Sequence, residues 1–299
     1  MSKFAKASQI ENEPTVKLFE GERALVIIGI FGFILSAGIA IYMFFRSSII
    51  LPEGNVKDAF SFNAAIGTYI LSIAAILPLT RFNTARRKVV RGLFIFTSLY
   101  SYTIETVQNF RGISPRFSRE GTVVDMAAGI LFGVVSLVLV GLAVVLTVHF
   151  FRLKKPSQRP LLIMGIRYAF ISVLTANIAG LWMILLQDRL TGVTGNIIVL
   201  HGIGFHALQT LILPAWLLEK AVINERFKRR LIHAGCIAWL LMIFMIGIQT
   251  ALGESVFELT PLPIIACLFF LIWFGTVVVA CMLSIKKRKE LTVTAKVLE

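Results

Sequence analysis

Apolar and polar positions fall in long alternating blocks along the chain. Runs of about twenty apolar residues recur, which is the length an α-helix needs to cross the ~30 Å hydrocarbon core of a bilayer. Short stretches that carry charges, glycine or proline separate them. The pattern therefore predicts an all-α, polytopic transmembrane bundle of eight helices. The predicted spans are residues 24–45, 59–79, 89–109, 122–149, 161–186, 195–218, 231–252 and 262–285.

The composition excludes several other classes of protein. Of 299 residues, 57% are hydrophobic and 15% are charged, and the mean hydropathy is +0.83. A soluble domain has roughly 25% charged residues, so a water-soluble enzyme and a nucleic-acid-binding domain are excluded. The gathering of apolar residues into blocks of about twenty also excludes a disulfide scaffold. The predicted organisation is a cytoplasmic lead over 1–22, the eight-helix transmembrane domain over 23–285, and a basic cytoplasmic tail over 286–299.

Lysine and arginine set the predicted orientation. They are concentrated in the loops 81–91, 152–159 and 220–230 and in the tail. Loops with this bias face the cytoplasm, so both termini are predicted to be cytoplasmic, in a bacterial cytoplasmic (plasma) membrane. The net charge of +14 then anchors the bundle to anionic lipid head groups at that face, and no nucleic-acid partner is expected. The alternate loops and their flanks carry only Arg46, Lys57, Arg111, Arg116, Arg119 and Arg189.

The third span carries a polar stripe along one helical face. Its members recur at spacings of three and four residues, and they are Thr97, Ser98, Ser101, Glu105 and Gln108. Lipid cannot satisfy such a stripe, so it must face protein or a water-filled cavity. Two interpretations follow: hydrogen bonds that hold the helices together, or the wall of a polar site.

The sixth span is the most unusual, because it contains two histidines. His201 and His206 are five residues apart, so they lie ~140° apart around the helix and cannot form an i, i+4 zinc pair. His206 and Gln209 share a face. Asn196 lies at the start of this span.

Ionisable residues of three spans are predicted to lie at matching depths. At ~1.5 Å per residue, Glu105, Asp125 and His201 all lie within roughly 10 Å of the outer boundary, and His206 is the deepest. The candidates for ligand binding or proton relay are Glu105, Gln108, Asp125, Asn196, His201, His206 and Gln209. Glu105, Asp125, His201 and His206 are also candidate metal ligands, although their spacing implies neither a metal nor a haem.

Arg111 and Gly112 are predicted to close the outer mouth of this site. Arg111 is the first charge beyond the polar stripe, six residues after Glu105. We expect its guanidinium to pair with a carboxylate, either Glu105 or Asp125.

Two motifs resemble those of a family of uncharacterised bacterial multi-pass membrane proteins. The first is E-x-x-Q-x-x-R-G, from Glu105 to Gly112, and the second is H-x4-H-A-L-Q-x4-P, from His201 to Pro214. The resemblance covers the third to sixth spans, about half of the chain. It implies no activity, but it selects the same residues as the topology.

This sequence departs from the family pattern at two places. Asn196 stands where the family has aspartate, and Pro115-Arg116 follow Ser114 where the family has histidine. Both changes remove a ligand or a proton carrier, which weakens a metal hypothesis.

Three functions remain open. The first is binding or transport of a small solute, a lipid head group or a proton at an outward-facing polar site. The second is a membrane-embedded enzyme that depends on a metal, haem or quinone. The third is a structural or assembly protein whose polar groups only join helices.

The sequence shows no convincing internal repeat. The second and sixth spans share a Leu-Pro pair near the same end, at Pro78 and Pro214. Two shared residues are too few to indicate a duplication.

Overall fold

The computed structural model describes residues 16–116, 118–153 and 159–298, with side chains as far as residue 285. Within these residues the regular structure is almost wholly helical, as the apolar blocks predict. A short 3-10 turn, Leu77–Thr80, extends the second helix. The helices are α1 (Arg23–Phe45), α2 (Val56–Ile76), α3 (Thr84–Phe110), α4 (Val123–Arg152), α5 (Pro160–Leu186), α6 (Ile197–Thr210), α7 (Ile212–Glu219), α8 (Glu225–Ala251) and α9 (Pro261–Leu298).

Seven helical segments in the described chain are long and apolar enough to cross a membrane. They are α1, α2 with its 3-10 turn, α4, α5, α6 with α7, α8, and α9 as far as Ile285. The chain is therefore an integral, multi-pass membrane protein. The predicted third span is the remaining long helix, α3, which has 27 residues but a more polar sequence.

The polar stripe of α3 points into the bundle. Thr97, Ser98, Ser101, Glu105 and Gln108 are all buried, while apolar residues on the other face of the helix are exposed. The prediction that this stripe faces the inside of the protein or a cavity, and not lipid, is confirmed.

Two small hairpins precede α2 and α6. Strand β1 (Ile49–Ile50) pairs antiparallel with β2 (Gly54–Asn55), and β3 (Leu190–Thr191) pairs antiparallel with β4 (Gly195–Asn196). We call the end of the bundle where α2, α4, α6 and α9 begin the hairpin end, and the opposite end the basic end. In the predicted topology the hairpin end is outside.

The order of elements repeats along the described chain, a feature that the sequence analysis did not detect. Helices α1–α4 and α5–α9 follow the same order, with α6 and α7 together in the place of α2 and its 3-10 turn. A hairpin follows the first helix of each half. Asn55 and Asn196, 141 positions apart, cap α2 and α6 by accepting a hydrogen bond from the backbone N–H two residues later. Asn83 and Asn224, at the same interval, cap α3 and α8. The Leu-Pro pairs do not have this spacing and are not part of the repeat.

The same backbone contacts build the hairpin end of each half. Glu53 N–H donates to the Gly112 carbonyl at 2.9 Å, and Thr194 N–H donates to the Gly253 carbonyl at 3.1 Å. Both glycines are left-handed, with φ of +75° and +78°, a conformation that glycine adopts without steric cost. A Cβ on Gly112 would also collide with the Leu51 carbonyl. The first hairpin therefore lies on the glycine turn after α3, and the second hairpin lies on the glycine turn after α8.

Small residues let the first two helices of each half approach closely. A Cβ on Gly67 of α2 would lie 2.8 Å from the carbonyl of Gly29 in α1. In the second half, a Cβ on Gly204 of α6 would lie 2.7 Å from the Cβ of Ala176 in α5. Close backbone approach of this kind is how membrane helices gain packing energy in the absence of a hydrophobic driving force.

The second helices of the two halves meet at the centre of the molecule. The rings of Tyr69 in α2 and Phe205 in α6 pack edge to face, with centroids 5.2 Å apart. Gln209 Nε2 donates to Ser72 Oγ at 2.5 Å across the same interface. An aromatic contact and a polar contact thus join these two equivalent helices, and Phe150 of α4 stacks on Phe170 of α5 elsewhere between the halves.

The described part of the predicted N-terminal lead packs against the basic end. Glu22 is fully buried, and its carboxylate accepts from Arg87 Nε at 2.5 Å and from Arg91 Nε at 2.7 Å. Phe19 N–H donates to the Ala75 carbonyl at 3.3 Å. The remainder of the predicted lead, residues 1–15, lies outside the described residues. Helix α9 continues to Leu298, so the predicted C-terminal tail is helical up to that residue.

Candidate functional site

Asp125 is the centre of a polar cluster at the hairpin end. Thr122 caps α4, and its hydroxyl accepts from Asp125 N–H while Asp125 Oδ2 accepts from Thr122 N–H at 2.9 Å, which forms a capping box. Asp125 Oδ1 accepts from Arg111 Nη1 at 2.5 Å and from Gln108 Nε2 at 2.9 Å. The prediction that Arg111 pairs with one of these two carboxylates is confirmed, and the partner is Asp125.

Glu105 belongs to a second ion pair beside the first. Its carboxylate is fully buried and accepts from Arg116 Nη2 at 2.8 Å. The guanidinium of Arg116 lies 5.3 Å from the centroid of the Phe62 ring and 5.6 Å from that of Phe132. Arg116 therefore has aromatic rings and a carboxylate as neighbours, which is a favourable setting for a partly desolvated guanidinium.

Glu53 fixes the loop that carries Arg116. Glu53 Oε2 accepts from Ser118 Oγ at 2.6 Å and from Ser114 N–H at 3.2 Å, and Oε1 accepts from Arg119 N–H at 2.8 Å. Burial raises the pKa of this carboxyl, but the hydrogen bonds outweigh burial and hold the pKa below its ordinary value. The ionised Glu53 side chain thus holds the loop after α3 on the first hairpin.

In the two arginine–carboxylate pairs Arg111–Asp125 and Arg116–Glu105, the accessible charge is the positive one. The side chain of Arg111 is 51% exposed and that of Arg116 is 33% exposed, whereas their partners Asp125 and Glu105 are 2% and 0% exposed. This reverses the expected picture, in which carboxylates line the cavity. The carboxylates lie inside the protein as counter-ions, and the guanidinium groups face outward.

The site extends towards the second half of the molecule. Arg189 Nη1, in the second hairpin, lies 3.6 Å from Asp58 Oδ1 in α2. Asp58 in turn lies within electrostatic range of Glu105, and Arg116 lies within range of His201. Charged groups of both halves therefore share the hairpin end.

The equivalent positions of the second half are almost free of charge. Ile246, Leu252 and Phe257 stand 141 positions after Glu105, Arg111 and Arg116, in that order, and Thr194 corresponds to Glu53. The loop contact is nevertheless kept: Ser255 N–H donates to Thr194 Oγ1 at 3.0 Å, as Ser114 N–H donates to Glu53. The fold of the hairpin end therefore forms without the ion pairs.

Two candidates of the sixth span have structural contacts. Asn196 is the N-cap of α6, and its Oδ1 accepts from Ile198 N–H at 3.0 Å. His201 Nδ1 donates to the Ala176 carbonyl at 2.8 Å, and its ring lies against Gly180 of α5. His201 is nonetheless near the charged cluster, through Arg116.

His206 lies apart from the fully buried carboxylate. His206 is the deepest candidate in the predicted topology, but it is exposed on the surface of α6 while Glu105 is fully buried. The predicted shared face with Gln209 is confirmed: His206 Nδ1 is 3.3 Å from Gln209 Oε1. Gln209 itself joins the two halves through Ser72.

The four proposed metal ligands do not form a metal site. Among the described residues, no three histidine, cysteine, aspartate or glutamate side chains are close enough together to hold a metal ion. Each carboxylate is already paired with an arginine, and the two histidines lie on different faces of α6. Four side chains from three helices can bind one metal ion only if the rotation of each helix directs them to the same place. In this structure the four side chains are not brought together.

Sequence reasoning missed Glu53 and Arg116 as site residues. The available signal was their position: both are charges in short loops of the hairpin end, next to proline, glycine or serine. Arg116 also stood out as part of a departure from the family pattern. There it was interpreted as the loss of a ligand or a proton carrier. In the structure it is instead the partner of Glu105.

Comparisons of the chain with protein-family models, with curated proteins and with solved structures find no match. The resemblance to the bacterial family stays a prediction. Function must be inferred from the geometry of the chain itself.

Proposed function

We propose that this membrane protein binds a small solute with an anionic group at the hairpin end and moves it across the membrane. The proposed contacts are the guanidinium groups of Arg111 and Arg116. The observation that carries the proposal is the difference between the halves, since the second half builds the same hairpin end with apolar residues at the positions of the ion pairs.

Buried ion pairs are costly components of a fold. The loss of hydration of a buried carboxylate costs several kcal/mol and is only partly recovered from its partner, so apolar replacements are often as stable. The second half supplies such a replacement, with Ile246 and Phe257 at the positions of Glu105 and Arg116. Since the fold does not need these charges, their presence in the first half favours a functional role.

The exposed guanidinium groups favour an anion. Arginine offers planar, paired N–H donors that match carboxylate and phosphate oxygens. Asp125 and Glu105 hold the two guanidiniums in place from inside the protein, and the remaining donors are directed to the accessible side. A cation or a proton would meet positive charge first.

The two-repeat architecture favours transport over static binding. In many transporters the substrate site lies where internal repeats meet, and movement of one repeat against the other alternates its access. Here the halves meet through Tyr69, Phe205, Ser72 and Gln209, and the hairpin ends are linked by Asp58 and Arg189. An anion bound at the hairpin end, on the same side as the Asp58–Arg189 contact, would bias the relative position of the halves.

Thermal unfolding of the purified protein tests anion binding. The probes are inorganic phosphate, succinate and choline at constant ionic strength. We expect phosphate or succinate, and not choline, to raise the melting temperature. Arg116→Gln and Arg111→Gln should each weaken binding by roughly 10- to 100-fold, the effect of one charge-assisted hydrogen bond. Arg119→Gln is the matched control, because its side chain is exposed in the same loop.

Uptake into proteoliposomes then tests transport. A stabilising anion, radiolabelled, should enter vesicles that contain the wild-type protein and not vesicles that contain Arg116→Gln. Anion binding without uptake would contradict transport and would indicate that the protein only binds the anion. Stabilisation by choline alone, or full anion binding by both arginine variants, would refute the anion site.

A further inference from the structure

A groove lies between α3 and α4 at the basic end, opposite the proposed anion site. It has a volume of about 290 Å³. Its walls combine apolar and basic side chains, which are Arg86, Val144, Val145, Val148, His149 and Arg152.

The apolar wall of the groove faces outward from the bundle. Val144, Val145 and Val148 lie within a membrane-spanning helix, and they are 42%, 39% and 41% exposed on the surface of the protein. They share one face of α4 with Arg152, and Val144 lies about 12 Å from Arg152 along the helix. In a bilayer this depth corresponds to the upper part of the acyl chains, directly below the head groups.

The basic rim of the groove is held in place by aromatic contacts. The guanidinium of Arg86 lies 4.1 Å from the centroid of the Phe82 ring, and the Phe82 ring lies 4.3 Å from that of His149. His149 Nε2 donates to the Thr80 carbonyl at 2.5 Å, which fixes the imidazole. Arg86 and His149 are therefore preorganised at the rim, and Arg152 is exposed beside them.

Neither arginine of the rim has an acidic partner within the described residues. Arg86 differs in this respect from its neighbours Arg87 and Arg91, which both form ion pairs with the buried Glu22. Two uncompensated guanidiniums thus lie at opposite sides of an apolar groove.

We infer that this groove is a specific site for one anionic phospholipid. Its phosphate is held between Arg86 and Arg152, and the start of an acyl chain lies on Val144, Val145 and Val148. Guanidinium groups bind phosphate oxygens through paired, charge-assisted hydrogen bonds, and basic pockets between helices at the cytoplasmic side hold anionic head groups. Because one wall of the groove is apolar, it favours a ligand with an acyl chain, which is a lipid rather than a free anion.

Native mass spectrometry of detergent-purified protein tests this site. The protein is reconstituted in nanodiscs of phosphatidylcholine with phosphatidylglycerol, then extracted, and the bound lipids are counted. We expect one retained phosphatidylglycerol per chain. In Arg86→Gln with Arg152→Gln, we expect retention to fall roughly thirtyfold.

A matched control separates a site from general surface charge. Arg229→Gln with Arg230→Gln removes the same charge from two exposed arginines near the basic end of α8. The control should keep the bound lipid. An equal loss in both double variants would overturn the site and leave only diffuse attraction.

Two further measurements complete the test. Millimolar inorganic phosphate or glycerol phosphate should not displace the lipid, because neither has an acyl chain; displacement would overturn the lipid assignment. Circular dichroism and melting in lipid-free detergent should match wild type for both double variants, since all four arginines are exposed. If the groove variant melts earlier there, Val148→Ser replaces it and should also reduce retention.

Discussion

Transplanting residues of the second half into the first gives a direct measure of the Glu105–Arg116 pair. The perturbation is Glu105→Ile with Arg116→Phe, which copies Ile246 and Phe257. The aromatic ring would enter a space already bordered by two phenylalanine rings. Asn109, which contacts Glu105, keeps its bond to a backbone carbonyl at 2.7 Å.

The single variants should be destabilised to different extents. Arg116→Phe leaves a fully buried carboxylate without its partner, which costs about 3–5 kcal/mol. Glu105→Ile leaves a guanidinium that is one-third exposed and can reach water, so the cost is about 1 kcal/mol. The double variant removes both charges and their desolvation, and its stability should lie within about 1 kcal/mol of wild type or above it.

The assay is unfolding of the purified protein in mixed micelles with a rising fraction of denaturing detergent. The four proteins form a double-mutant cycle, and the coupling energy should be at least about 3 kcal/mol. Anion-induced stabilisation is measured on the same samples and should be lost in the double variant.

An additive cycle would refute the reasoning. If the double variant is as unstable as the two single changes combined, the ion pair is part of the fold and the comparison between halves fails. If the double variant is stable and still binds anions as tightly as wild type, Arg116 does not contribute to anion binding. The conclusion that the fold does not need the ion pair would still hold.

Three further predictions concern topology, backbone and pH. In a cysteine-free background, Val256→Cys should react with a membrane-impermeant maleimide in intact cells and Glu225→Cys should not; the reverse pattern would invert the predicted orientation. Gly112→Ala should lower the free energy of unfolding by about 1–3 kcal/mol, because its φ is +75°, whereas Gly141→Ala, in open space on α4, should not; equal melting temperatures would contradict this. The lowered pKa of Glu53 means that its ionised form stabilises the fold above its ordinary value of 4.5 and that this contribution is lost as the pH falls below it. Glu53→Gln should flatten this acid dependence of the melting temperature, and an unchanged slope would refute the loop clamp.

The repeat changes how the polar residues are interpreted. A residue present in both halves serves the architecture: Asn55 and Asn196 cap helices, and Gly112 and Gly253 form the turns under the hairpins. The Glu105–Arg116 pair is present in one half alone, and the second half folds with Ile246 and Phe257 at those positions. By this comparison Asn196 moves from the candidate ligands to the framework, and Arg116 moves into the site.

The sequence determined the class of the protein, the positions of its helices and the inward face of α3. These properties are local. Apolar length is set by the thickness of hydrocarbon, and a polar stripe at helical spacing cannot face lipid. For that reason the predicted span 161–186 agrees with the observed Pro160–Leu186 to one residue.

The tertiary structure decided which charges meet and how deep each one lies. Helical spacing places Glu105 and Asp125 at similar depths, but the rotation of α3 against α4 and the path of a loop assign Arg116 to one and Arg111 to the other. The exposure of His206 likewise depends on which neighbour covers that face of α6. The repeat was hidden because lipid accepts almost any apolar side chain, so only the few positions with fixed backbone contacts, such as Gly112 and Gly253, still match.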